Sequence, residues 1–249
     1  AASRVTRGSG DWSDLLSHLK SSGPHPNKAS CPWIKMALFG DHRTAGGSLR
    51  NNENVQVVYG LEGDYDGGLI SVDEAISRLE SHNIRGAVYT SPSHTPEKPR
   101  WRVLAPLNSP CLPEQRSGLL ARLNGALGGV LAGESFTLSQ SYYYGQVDGA
   151  PEYRVAVTFD DPDDGVCIDE LPELDAIAKG RTSAAPVAAP LGDPMAPVDP
   201  ADAFKQRVQQ LGRRLKTGDG RRDLLKSFVA SRVGRGIRGD DIMTMVHGM

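Results

Sequence analysis

The sequence predicts an α+β fold rather than a doubly wound parallel sheet. Short runs of β-branched and aromatic residues alternate irregularly with helical periodicities, in the order strand, helix, strand, strand, helix, strand, strand. Hydrophobic residues make up 39% of the 249 positions, enough to bury a real core. The length fits one large domain followed by a smaller one.

Each element has a local cause. Asp11 is placed to cap a short helix that begins Trp12-Ser13-Asp14-Leu15-Leu16. Residues 21–31 hold two prolines and a glycine and are expected as loop. The apolar run 33–39 is a strand, and a polar loop with Arg43 and Arg50 covers 40–54. Residues 55–61 (Val-Gln-Val-Val-Tyr-Gly-Leu) form the next strand, which runs into Glu62-Gly63-Asp64-Tyr65-Asp66. The 71–80 helix has Ser71 as cap, Glu74 three residues on, and Val72, Ala75, Ile76 and Leu79 on one face. Strands follow at 86–90 and 101–105, a helix at 113–127, and strands at 139–144 and 153–159.

From 179 to 200 the composition shifts to Ala and Pro, the mark of a semi-rigid linker. Beyond it, 202–216 and 222–234 have helical periodicity. Residues 201–249 carry 11 Lys+Arg against 5 Asp+Glu, a net of +6, so residues 1–200 carry −8. An acidic body with a basic tail suits a metal site joined to a nucleic-acid-facing module; a solvated basic helix face has the same charge pattern. The three cysteines, Cys31, Cys111 and Cys167, form neither a disulfide framework nor a CxxC metal knuckle. No run of about 18 apolar residues is present, and 1–10 lack a signal peptide's apolar stretch, so a cytoplasmic chain with no membrane partner is expected.

The sharpest chemical feature is Asp64-Tyr65-Asp66 after an apolar strand. Alternate strand side chains share a face, so the two carboxylates converge and repel. A bound hard cation, Mg²⁺ or Mn²⁺, relieves that repulsion and suits phosphoryl transfer. DxD is also common in surface turns. A calcium loop is excluded by spacing: Leu69 and Ala75 stand where Gly and Glu are required, and the 160–165 cluster has Leu171 at its twelfth position. Next comes Thr90-Ser91-Pro92-Ser93-His94-Thr95, followed by Lys98, Arg100 and Arg102. Arg100 and Arg102 flank Trp101 and share a face if the strand is regular. With His94 they form either a triphosphate cradle or a basic sheet edge paired with acidic neighbours.

These elements together resemble the archaeo-eukaryotic primase superfamily, in its phage and plasmid replication branch. The acidic pair Asp64/Asp66 and the small-x-His motif at Ser93-His94 match its pattern. So do the stretches Tyr89-Thr90-Ser91-Pro92-Ser93-His94-Thr95-Pro96-Glu97-Lys98-Pro99-Arg100-Trp101-Arg102-Val103 and Glu134-Ser135-Phe136-Thr137-Leu138-Ser139-Gln140-Ser141-Tyr142-Tyr143-Tyr144-Gly145. The resemblance spans roughly 39–174.

The resemblance implies an RRM-like catalytic core with an additional small α/β unit, over 1–178, followed by a small all-α domain. Asp64 and Asp66 would bind Mg²⁺ or Mn²⁺ and, with His94, form the catalytic set. Ser93, His94, Lys98, Arg100 and Arg102, with Arg43 and Arg50, would hold the nucleoside triphosphate. The third acidic ligand departs from the family pattern. Glu134 is the first choice; the alternatives are Asp148, or Ala132 in the acidic position with no third protein ligand. The segment from Thr217 to Leu225 followed by Arg235-Gly236-Ile237 looks like the helical modules that follow such domains, with Arg213, Arg214, Arg221 and Arg222 facing nucleic acid.

The function implied is a DNA primase or primase-polymerase acting on a single-stranded DNA template in phage or plasmid replication, in the bacterial host cytoplasm. No Walker A motif occurs, so a replicative helicase partner would be another polypeptide or another part of a longer one. The rival is an inactive primase-like DNA-binding module of a replication initiator. A relaxase would need two histidines flanking one apolar residue, and no such triplet occurs.

Overall fold

In the computed structural model, residues 8, 10–162 and 164–181 are described. The expected helices at 202–216 and 222–234, the tail arginines Arg213, Arg214, Arg221 and Arg222, and the linker beyond its third position lie outside them.

Helix starts follow local chemistry. Asp11 accepts from the Asp14 amide at 2.8 Å, while Asp14 accepts from the Asp11 amide at 3.2 Å, and this reciprocal pair begins α1 (Trp12–Lys20). Two short strands follow, β1 (Trp33–Ile34) and β2 (Ala37–Phe39), then the long β3 (Val55–Tyr65). Ser71 Oγ accepts from the Glu74 amide at 3.1 Å and starts α2 (Val72–Ser81). The Glu74 carboxylate does not complete a capping box; it pairs instead with Arg78 one turn on, at 2.6 Å. Then come β4 (Ala87–Thr90), β5 (Trp101–Cys111), α3 (Arg116–Ala126), β6 (Tyr142–Tyr143) and β7 (Val155–Val157).

The main sheet has the order β2-β3-β5-β4-β7, and every neighbour is antiparallel. Because β5 lies between β3 and β4, the segment β3-α2-β4-β5 is a split β-α-β unit. A second, two-stranded ribbon pairs β1 with β6. Helices and an antiparallel sheet in this order are the α+β architecture expected.

Strand alternation divides the side chains between two cores. Leu61, Tyr65, Val88, Trp101, Val103 and Ala105 pack under α2 and α3, against Val72, Ala75, Leu79, Leu120 and Leu123. On the opposite face, Ala87, Tyr89 and Leu104 meet Trp12, Leu16 and Leu19 of α1, with Ile34 and Tyr144. Glu62 and Asp64 alternate with Leu61 and Tyr65 and are both buried.

Several strand bounds differ from expectation for tertiary reasons. The 33–39 run divides between two sheets, because Lys35 turns inward to Glu62 at 2.6 Å. Strand 55–61 continues to Tyr65, and 101–105 continues to Cys111, because the two pair with each other along most of their length. The 153–159 strand stops at Val157, and Phe159 has a φ of 63° that no regular strand continues. The core also extends past 178: the Lys179 amide donates to Ala121 O at 2.8 Å, and Asn124 Nδ2 donates to Lys179 O at 2.9 Å. No helix among the described residues is long and apolar enough to cross a membrane.

Candidate metal centre

Carboxylate oxygens of Asp64, Asp66 and Glu134 all lie within 4.8 Å of one another. Three separate local structures bring them there. Asp64 is the penultimate residue of β3 and is only 6% exposed. Asp66 stands just past the strand end, on a turn held by the aromatic pair beneath it. Tyr65 stacks on Trp101 at 4.6 Å, the Tyr65 hydroxyl accepts from the Leu69 and Ile70 amides at 2.9 Å each, and Trp101 Nε1 donates to Ile70 O at 2.8 Å. Glu134 is exposed on the single turn Gly133–Phe136. That turn is fastened to β3 from both sides: Ala132 N donates to Asp64 O at 2.8 Å, and Asp64 N donates to Ser135 Oγ at 3.0 Å.

Cations already surround the carboxylates. Arg102 lies opposite Asp64 in the β3–β5 register, and its Nε donates to Asp64 Oδ1 at 2.8 Å. Its Nη1 donates to the Tyr143 carbonyl on the ribbon. Arg100 stands 3.7 Å from Asp66, and its Nε is buried without a hydrogen-bond partner. Burial raises the Asp64 carboxyl above its ordinary value. The Arg102 charge and hydrogen bond oppose this without cancelling it, and the charges of Asp66 and Glu134 add to it. Three crowded carboxylates, one desolvated, are a donor set that fits a divalent cation with hard oxygen ligands.

The remaining predicted residues fall in different places. His94 is half-buried, and its Nδ1 accepts from the Arg100 amide at 3.2 Å, so its loop is tied to the arginine beside Asp66. Ser93 and Lys98 are exposed on that loop, and Lys98 lies over Gly68, two residues past Asp66. Arg43 is exposed in the 40–54 loop and donates to Gly47 O at 2.9 Å. It lines an open cleft of about 600 Å³ with Asn51, Asn52, Thr137 and Ser139. Arg50 lies over the Trp33 ring at 4.4 Å. Asp148 is exposed near a Gly149 turn and is absent from the carboxylate cluster.

Sequence reasoning missed the buried charge group behind the carboxylates. Glu62, fully buried two residues before Asp64, accepts from Lys35 Nζ at 2.6 Å, from Arg116 Nη2 at 3.1 Å and from the Met36 amide. Arg116, 1% exposed, also donates to Ser135 O at 2.9 Å and Glu62 O at 3.1 Å. It thereby joins β3 to the turn that carries Glu134. The available signal was Glu62 itself, on the same strand face as Asp64.

The fold and the site define an α+β protein with an acidic triad able to hold a divalent metal at the end of a buried sheet strand. No protein-family model matches the chain, and no curated protein matches it. Among solved structures, the chain is similar to the AEP domain (PP-N190) of the primase-polymerase of cyanophage S-2L. The TM-score is 0.39 at 11% identity, covering 58% of this chain and 69% of that one.

Proposed function

We propose that this protein is a metal-dependent nucleotidyltransferase, a DNA primase or primase-polymerase that makes primers on single-stranded DNA in phage or plasmid replication. The observation that carries the reading is the convergence of Asp64, Asp66 and Glu134, beside an arginine-bearing loop anchored by His94. A split β-α-β sheet with the acids at a strand end supports an RRM-like catalytic core.

In this reading Asp64, Asp66 and Glu134 hold Mg²⁺ or Mn²⁺. The metal would lower the pKa of the attacking 3′-hydroxyl and neutralise the leaving pyrophosphate. Arg100, whose Nη1 stands 3.7 Å from Asp66, would meet the triphosphate, and Lys98 and Ser93 add donors from the same loop. His94 holds Arg100 in place through its backbone amide and contacts phosphate through its other ring nitrogen. Arg102 orients Asp64 within the sheet and favours its ionised form against burial. Catalysis is then positioning and electrostatics, as in phosphoryl transfer generally.

The test is Mn²⁺-dependent incorporation of labelled nucleotide on a single-stranded template. The wild type should incorporate, and Asp64→Ala with Asp66→Ala should lose synthesis while keeping the wild-type circular dichroism spectrum. Undiminished synthesis by that double variant would refute the assignment. No synthesis by the wild type, with DNA binding intact, would leave the inactive DNA-binding module as the reading.

A further inference from the structure

The β1/β6 ribbon has two unlike faces. Ile34 opposes Tyr142 and turns inward, both buried; Trp33 opposes Tyr143 and turns outward. Trp33 is 38% exposed, whereas Trp12 and Trp101 are buried. Tyr143 meets the indole edge-on at 5.2 Å. Two exposed cations flank the pair: Arg50 lies over the Trp33 ring at 4.4 Å, and Lys28 over the Tyr143 ring at 5.9 Å. An indole and a phenol left at the surface between two cations offer π-faces and phosphate partners together.

We propose that this face is a binding ledge for single-stranded nucleic acid. A base extends the Trp33–Arg50 stack on its indole or guanidinium plane, and Lys28 and Arg50 meet the flanking phosphates. Charge selects this occupant over the chain's own tail, since residues 201–249 carry a net of +6 and would be repelled by the two cations. Position selects a template strand, a choice that rests on the nucleotidyl-transfer reading. The Tyr143 carbonyl accepts from the same Arg102 whose Nε holds Asp64, so one buried arginine joins the ledge's ribbon to the carboxylate cluster.

The experiment uses the full chain in EDTA, without nucleotide, so that metal and catalysis play no part. Fluorescence anisotropy follows a labelled single-stranded oligothymidylate. Trp33→Ala should weaken binding about five- to a hundred-fold, the range for loss of one stacked base. Trp33→Phe should recover most of the affinity, and Lys28→Ala with Arg50→Ala should flatten the salt dependence. In the wild type, the oligonucleotide should quench tryptophan emission, and Trp33→Phe should abolish the quenching. Unchanged affinity in a folded Trp33→Ala protein, or quenching unchanged in Trp33→Phe, overturns the proposal. Equal quenching by a free nucleoside triphosphate also overturns it, because the ledge would then hold the incoming nucleotide. Incorporation assays run in parallel separate the two readings. Synthesis with no contribution from Trp33 refutes the ledge alone; Trp33-dependent binding without synthesis refutes the catalytic reading alone.

Discussion

Arg102 and Asp64 form a buried pair, each side chain 8% exposed, in which the guanidinium does part of what a cation in the site would do. Replacing Arg102 with Met leaves the carboxylate without its partner, and breaking such a pair costs about 3–5 kcal/mol. Mn²⁺ should restore part of that loss in Arg102→Met and none in Arg102→Met with Asp64→Asn, measured as urea midpoints with and without metal. Equal metal effects in both proteins would argue against cation binding at Asp64. Glu62 gives the pH dependence. Burial pushes its carboxyl up, but Lys35, Arg116 and the Met36 amide outweigh burial and hold it below the ordinary 4.5. A depressed folded-state carboxyl stabilises above the unfolded value, and that stability is lost as pH falls through the folded one. Urea titrations into acid should therefore show falling stability below about pH 4.5. Glu62→Gln should start about 3–5 kcal/mol lower at neutral pH and show a flatter acid limb.

At the scale of elements, the turn after β3 decides where Asp66 points. One hydroxyl supplies two of its hydrogen bonds: Tyr65 accepts from both the Leu69 and Ile70 amides. Tyr65→Phe keeps the stack on Trp101 but strips that acceptor, at a cost of about 1–3 kcal/mol. Amide hydrogen exchange at Leu69 and Ile70 should accelerate, and Mn²⁺ affinity should fall with it. Unchanged exchange would mean that the Trp101–Ile70 bond alone holds the turn. The same stretch of chain shows how far local pattern reaches. The 55–61 strand and the 71–80 helix were legible from β-branched residues and from the Ser71 cap. The extension of β3 through Glu62 and Asp64 was not, because a buried acidic strand end needs Lys35, Arg116 and Arg102 from elsewhere in the chain.

For the whole molecule, the question is what the acidic body does without the basic tail. Lys179 is bonded to α3, so a truncation should end after Arg181 to keep those hydrogen bonds. Under the proposed nucleotidyl-transfer function, such a protein should keep Mn²⁺ binding and weak extension of a supplied primer, and it should lose initiation more severely. Its log–log salt slope for single-stranded DNA should shrink by roughly 0.7 for each phosphate that the tail neutralises in the full chain. Primer synthesis and primer extension, compared at low and moderate salt, check this. Equal losses in both would indicate damage to the fold of residues 1–181, and no loss in either would show that neither activity uses the tail.

By itself the sequence determined the fold class, the order of the central elements and the acidic pair, because β-branched runs, capping residues and charge spacing act within a few positions. For the third acid the sequence offered Glu134 first, with Asp148 or no third ligand left open. Tertiary structure alone decided that Glu134, and not Asp148, stands with Asp64 and Asp66, since that depends on Ala132 and Ser135 bonding across to β3. It also decided that Arg102 faces Asp64 and that Trp33 meets Tyr143. These pairings are fixed by strand register between segments far apart in the chain, and a shift of one residue would turn each side chain to the opposite face.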